Sequence, residues 1–139
     1  MTQAPAYQKP LPQPGPITGP FWQAAKEHRL SIQRCTACQG HVFYPRAICP
    51  HCGAADLAWV DVSGRGTVYS FTVARRATMR PFEADVPYVI AIVELAEGPR
   101  MTTSIVGCGV DDVRVGMAVV AEFDDVTPEV TLVKFRPAS

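Results

Sequence analysis

Four of the five cysteines stand in two pairs, Cys35-Thr-Ala-Cys38 and Cys49-Pro-His-Cys52, with ten residues between them. Two cysteines three apart on a tight turn put both sulfurs on one side of a knuckle. A second knuckle, brought back by a short hairpin, completes the tetrahedron that zinc asks of four thiolates. Gly53 follows the second pair directly, letting that turn tighten and aim backbone N–H groups at sulfur; after the first pair, Gln39 comes before Gly40. Four thiolates leave no open coordination position, so zinc on Cys35, Cys38, Cys49 and Cys52 is expected to be structural rather than catalytic. Such sites contribute on the order of 10–16 kcal/mol of apparent binding energy to a segment too small to form a core. Iron in a rubredoxin-like electron carrier is the competing reading, although nothing else in the chain offers a redox-partner site.

The remaining reactive residue types form no comparable grouping. His28, His41 and His51 are ligand candidates only by type, and His51 lies inside a knuckle, where side chains point outward. Cys108 sits between glycines in Val106-Gly-Cys-Gly-Val110, and no histidine follows residue 51 to serve it as a base. It is expected to be a buried or turn thiol. The chain has no GxSxG, no paired-carboxylate motif and no phosphate loop. Arg75, Arg76 and Arg80, with Arg65 nearby in sequence, suit CoA phosphates, because the planar guanidinium matches phosphate geometry. A solvated loop face is the alternative. Met79, Pro81 and Phe82 add apolar surface to that loop, as contact with a partner or a pantetheine arm would require.

The 139 residues, 47% apolar and 19% charged, suffice for one folded domain or two small ones. The longest apolar run, Tyr88 to Val93, is far below the roughly 20 residues a membrane-spanning helix needs. No basic segment followed by an apolar stretch opens the chain, which argues against a secretory signal and for thiols or metal ligands rather than disulfides. A cytoplasmic location without a membrane partner is expected. Net charge is zero, yet residues 1–80 hold nine Lys/Arg against three Asp/Glu, and residues 81–139 hold four against ten. Such polarity suits docking against a charged partner as well as it suits plain surface composition.

Three segments must position these residues. Residues 1–19 form a proline-rich arm; Pro5, Pro10, Pro12, Pro14, Pro16 and Pro20 make the opening stretch extended. Residues 20–56 hold a helix and the cysteine pairs: Thr18 or Gly19 can cap the helix, Pro20 suits its first position, and Phe21 to Leu30 contains no breaker. A helix this short is marginal alone, so Phe21 and Trp22 are expected to pack on the following domain or on another protein. Residues 57–139 change to period two, with strands predicted at Leu57–Val62, Thr67–Ala74, Tyr88–Leu95, Met101–Val106, Ala118–Phe123 and Thr131–Phe135. Gly64 and Gly66 suggest a bend that lets Leu57–Ala74 act as one long coiled strand. Five strands in this length predict a mainly β protein whose barrel is a closed Greek key of the OB type, with half of a sandwich as the alternative.

In this order the motifs resemble a known family. Phe21-Trp-Gln-Ala-Ala-Lys-Glu-His-Arg-Leu-Ser-Ile-Gln-Arg-Cys35 is followed by Cys38, Tyr44-Pro45 and Cys49-Pro-His-Cys-Gly53. Trp59, Ser63-Gly-Arg-Gly-Thr-Val-Tyr-Ser-Phe-Thr72, Pro87-Tyr88 and Val93-Glu-Leu-Ala-Glu-Gly98 come next. The set resembles the family with a rubredoxin-like zinc ribbon followed by an acyl-CoA-associated OB-fold. The resemblance implies a small accessory subunit beside thiolase-superfamily enzymes, such as acetyl-CoA thiolases, hydroxymethylglutaryl-CoA synthase or thiolase-like aldolases of steroid side-chain degradation. Related domains are also fused to hot-dog hydratases. It further implies a hetero-oligomer in which the barrel helps shape an acyl-CoA channel, with the CoA thioester shared and the chemistry on the partner. Phe21, Trp22, Met79 and Phe82 are then the expected partner contacts, and Arg75, Arg76 and Arg80 the expected CoA contacts.

Two other function classes stay open. A zinc ribbon with an OB-fold also suits single-stranded nucleic acid, and Tyr69 and Phe71 alternate onto one strand face as a stacking platform would. The acidic barrel half argues against it, and both rings read more simply as core-facing. A stand-alone thioester enzyme would need Cys108 or an unrecognised carboxylate.

Overall fold

The computed structural model describes residues 7–138; the part of the arm before Tyr7, and Ser139, lie outside them. One helix, α1 (Gly19–Lys26), is followed by eight strands: β1 (Ser31–Cys35), β2 (His41–Val42), β3 (Leu57–Asp61), β4 (Arg65–Ala74), β5 (Tyr88–Leu95), β6 (Arg100–Ile105), β7 (Ala118–Asp125) and β8 (Thr131–Pro137). The first three strands form a sheet in the order β2-β1-β3, and the other five close a barrel in the order β4-β5-β6-β8-β7. The protein is therefore mainly β, with one helix, a four-cysteine ribbon and a five-stranded OB-type barrel, as the residue pattern led us to expect.

The long coiled strand expected over Leu57–Ala74 is instead two strands in two sheets. β3 pairs with β1 along its whole length, from Ser31↔Asp61 to Cys35↔Leu57. The chain then turns at Gly64, φ +76°, and β4 begins the barrel. Period two marks a strand without naming its sheet, and β3 pairs along the free edge of β1. At Gly66 a side chain would meet Glu94 O at 2.6 Å, so glycine is what lets β4 approach β5 while also pairing with β7. The barrel's last seam is short: β6 and β8 pair in parallel only at Ile105↔Phe135.

The helix also ends earlier than Leu30. His28 takes φ 59°; its N–H donates to Ala25 O and that of Arg29 to Ala24 O, the double bond of a Schellman C-cap. Histidine accepts this costly left-handed position because its ring stacks on Phe123 at 5.3 Å and Nε2 meets Asp125 at 3.0 Å. Phe21, Ala24 and Ala25 form the buried face of α1, and Leu30 and Ile32 join one core with Val68, Val93 and Phe135.

Candidate metal centre and the cleft beside it

Each cysteine pair folds into the same knuckle. Gln39 N–H donates to Cys35 O at 2.8 Å and Gly53 N–H to Cys49 O at 2.9 Å. The residue after each pair is left-handed, Gln39 at φ 68° and Gly53 at φ 80°. Each knuckle is then closed by a second bond from its first cysteine, Cys35 N–H to Gly40 O and Cys49 N–H to Ala54 O. The departure at Gln39 is therefore absorbed: glutamine itself takes the left-handed position, and its Nε2 donates to Thr36 O at 2.9 Å. Gly40 keeps the space for His51, whose ring a Cβ there would meet at 2.9 Å. The His51 ring lies at the surface, 3.1 Å from His41 O.

The four Sγ atoms lie within 4.8 Å of one another. Cys35 and Cys52 approach to 3.6 Å, and Cys38 and Cys49 to 3.7 Å. A tetrahedron with zinc–sulfur bonds near 2.3 Å has edges of about 3.8 Å, so the residues fit zinc. Backbone N–H groups of Cys38 and His51 point at Cys35 Sγ and Cys49 Sγ. Burial pushes the Cys49 thiol up, but N–H groups of Cys52 and His51 and the neighbouring thiols outweigh it and draw Cys49 down to about 7. At Cys52 the N–H of Ala54 pulls downward, yet the Cys35 thiol, burial and the other thiols push it up to about 12. Buried Gln33 holds the intervening loop, its amide bonding Arg46 N and O at 2.7 and 2.8 Å.

Beside the ribbon, α1, residues 43–45 and the open end of the β6/β8 seam enclose an apolar cleft of about 390 Å³. Phe21, Trp22, Phe43, Tyr44, Met101 and Leu132 are its main apolar walls. Tyr44, 49% exposed, accepts the Thr102 N–H with its hydroxyl at 3.1 Å, filling a place left by the missing strand neighbour. Thr103 and Ser104 hydroxyls are already engaged with Val133 O and Val89 O. Sequence reasoning missed this cleft as a whole; Phe21, Trp22 and Tyr44-Pro45 were its visible traces, and its other walls come from distant strands.

The expected site residues fall in separate places. Phe21 is 7% exposed and packs on Trp22 and Phe43 within the chain, so the partner its ring required is the protein's own core. Trp22 is half-buried at the cleft. Met79 is 47% exposed, and Phe82 is half-buried beside Tyr88 with Lys9 over its ring. Arg75, Arg76 and Arg80 are exposed on the loop after β4. Among the described residues only Arg75 has an acidic neighbour, Asp111 at 4.0 Å.

Cys108 is half-buried, and burial together with the Asp112 charge raises its pKa, the reverse of an activated nucleophile. Tyr69 corrects the core-facing expectation: the register shifts between Val68 and Ser70, and Tyr69 bulges out, 48% exposed. Phe71 packs toward the core, and Arg100 covers the Tyr69 ring at 3.7 Å. The two rings do not form a common platform.

Residues 22–58 match the family described as "ChsH2, rubredoxin-like zinc ribbon domain", and residues 59–124 that described as "ChsH2, C-terminal OB-fold domain". The chain is 44% identical over 105 residues to a "DUF35 domain-containing scaffold protein" of Methanocaldococcus jannaschii, covering 73% of each. The chain belongs to this DUF35 family. It is also 47% identical over 119 residues to a "Probable enoyl-CoA hydratase alpha subunit" of Thermomonospora curvata, covering 85% of this chain but 37% of that protein. It thus spans little more than a third of that relative's length. Among solved structures, a chain of an "Ltp2-ChsH2(DUF35) aldolase" superposes with a TM-score of 0.83 at 43% identity, covering 93% of this chain and 100% of the other.

Proposed function

We propose that this chain is a non-catalytic scaffold subunit of a hetero-oligomer. It docks on a thiolase-superfamily partner, a thiolase or thiolase-like aldolase, that makes or breaks a C–C bond beside a CoA thioester. It steadies that complex and helps shape the acyl-CoA channel. The observation that carries this reading is the likeness along the full length of a chain described as part of an aldolase. The cleft rimmed by Trp22 and Tyr44 supports it, as a mostly apolar surface, with Lys134 at its edge, suited to a protein or an acyl group.

Each residue class then has a task. Zinc, when bound, cross-links Cys35, Cys38, Cys49 and Cys52 and supplies no open position for substrate. Gln33 and the Tyr44 hydroxyl carry the rigidity of the ribbon to β6. Trp22, Met79 and Phe82 offer apolar contacts to the partner. Arg75, Arg76 and Arg80 offer guanidinium groups to the CoA phosphates.

The test is a tagged chain recovered from its source cells, with the intact complex weighed by native mass spectrometry. A thiolase-sized subunit at fixed stoichiometry, released by strong chelation, is the expected result. A bare 15.1 kDa chain would overturn the reading. Replacing Arg75, Arg76 and Arg80 together by alanine should weaken CoA binding; unchanged CoA affinity and complex formation would remove them from the site.

A further inference from the structure

From Lys9 to Pro16 the chain reads Lys-Pro-Leu-Pro-Gln-Pro-Gly-Pro. Every residue in this run is a proline, whose ring holds φ near −65°, or precedes one, which disfavours the α region. The backbone is left with essentially the polyproline II conformation. Tyr7 to Gly15 accordingly contain no helix or strand, and residues 16–18 turn into α1 with Thr18 in the helical region. From Lys9 to Gly15 burial follows a three-residue period: Lys9, Pro12 and Gly15 are half-buried, with exposed residues between them. Three residues per turn is the polyproline II repeat.

The strap is tied at both ends. Lys9 Nζ lies 2.5 Å from Asp85 Oδ2 and over the Phe82 ring at 5.6 Å. At the other end Gly15 N–H donates to Thr18 Oγ1 at 3.1 Å, and Gly19 N–H to Gly15 O at 2.7 Å. The outward edge carries Leu11 and Pro14, again three apart, and continues to Ile17 in the turn that leads into α1; Leu11 is 40% exposed and Ile17 46%. Because every second residue lacks an N–H, the edge is rich in carbonyl acceptors and poor in donors. Its nearest cation, Lys9, is already engaged with Asp85.

We infer that this ridge is a docking edge for the partner subunit, fitting a groove of aromatic rings that also present N–H or O–H donors to its carbonyls. The inference rests on the scaffold reading and adds which part of the chain engages. A preset, tethered segment loses little conformational entropy on binding. Nucleic acid and anionic lipid find no complementary charge on it. The chain's own cleft, with Trp22, Phe43 and Tyr44, has similar chemistry, so a second copy is the competing occupant.

The experiment uses the full chain and the subunit that co-purifies with it, with calorimetric titration of wild type, the L11S/I17S double variant and a Q13S control. The double variant is expected to lose about tenfold or more in affinity, the scale of an apolar anchor. The control should match wild type, and both should keep its zinc content and thermal midpoint. A P10G/P14G variant, which keeps Leu11 and Ile17 but frees the backbone, is expected to weaken binding severalfold; it decides the matter should L11S/I17S fail to fold. Equal affinity throughout overturns this inference and leaves the scaffold reading standing. Absence of any co-purifying subunit overturns both. A concentration-dependent homodimer in sedimentation, abolished by L11S/I17S, gives the ridge to a second copy and overturns the partner assignment.

Discussion

The ribbon and the barrel are both small β structures, yet they are held by different means. The ribbon's own buried cluster is Cys35, Val42 and Cys49, with only Ala54 and Leu57 packed against it. The barrel closes on itself around Val68, Val89, Val93, Ile105, Val119 and Phe135. Phe21, Leu30 and Ile32 belong to the barrel's core as well, so α1 and the inner face of β1 are anchored to the barrel, while the knuckles depend on metal. Cross-linking by a cation and burial of apolar surface do the same job at different sizes: below a certain number of side chains, only the first is strong enough.

The strongest test of that contrast is removal of the metal. Chelation, or Cys35→Ser, is expected to forfeit on the order of 10 kcal/mol of apparent metal-binding energy. In a ¹H–¹⁵N spectrum the amides of residues 35–56 should collapse while those of the barrel persist. A uniform loss across the chain would show that the two regions do not differ as argued. Next in size is Phe135→Ala, which empties the centre of the barrel and should cost about 3–5 kcal/mol in urea unfolding. Zinc should stay bound up to the unfolding midpoint, and earlier release would mean the barrel props the knuckles directly.

A smaller effect is expected where helix and barrel meet. His28→Ala and His28→Gly lose the same ring from Phe123 and Asp125 but differ in backbone freedom at φ 59°. The glycine variant should be more stable than the alanine variant by about 1 kcal/mol. The smallest effect is a pH dependence. Asp125 is held below its usual 3.8 by the Thr131 hydroxyl and then by His28. A carboxyl with a lowered folded-state pKa adds stability above its unfolded value and loses it as pH falls through the folded one. Between pH 5 and pH 3, Asp125→Asn should therefore lose less of its urea midpoint than wild type. An identical loss would remove this contact from the account.

The metal ligands were legible because their signal is local. Spacing within each CxxC and between the pairs already limits which atoms can meet, and the four sulfurs do meet. The lack of helix or strand in residues 7–15 was legible for the same reason, since restricted φ needs no partner. Tyr69 was misread because alternation assumes an unbroken register, and the bulge after Val68 reverses it. The helix end was misread because nothing between Phe21 and Leu30 forbids a helix. What stops it at Lys26 is the reward His28 finds on a strand about a hundred residues later.

Residue types and their spacing were enough to establish the four-thiolate centre, the five-stranded barrel and the lack of helix or strand in residues 7–15. Each follows from short-range sterics or from ligand count. Tertiary structure alone assigned Leu57–Asp61 to the ribbon's sheet, turned Tyr69 outward, drew Phe21 into the core and opened the cleft between Trp22, Tyr44 and the β6/β8 seam. Those outcomes depend on which distant backbone edges and apolar faces cover one another, a competition between whole surfaces that no local pattern encodes.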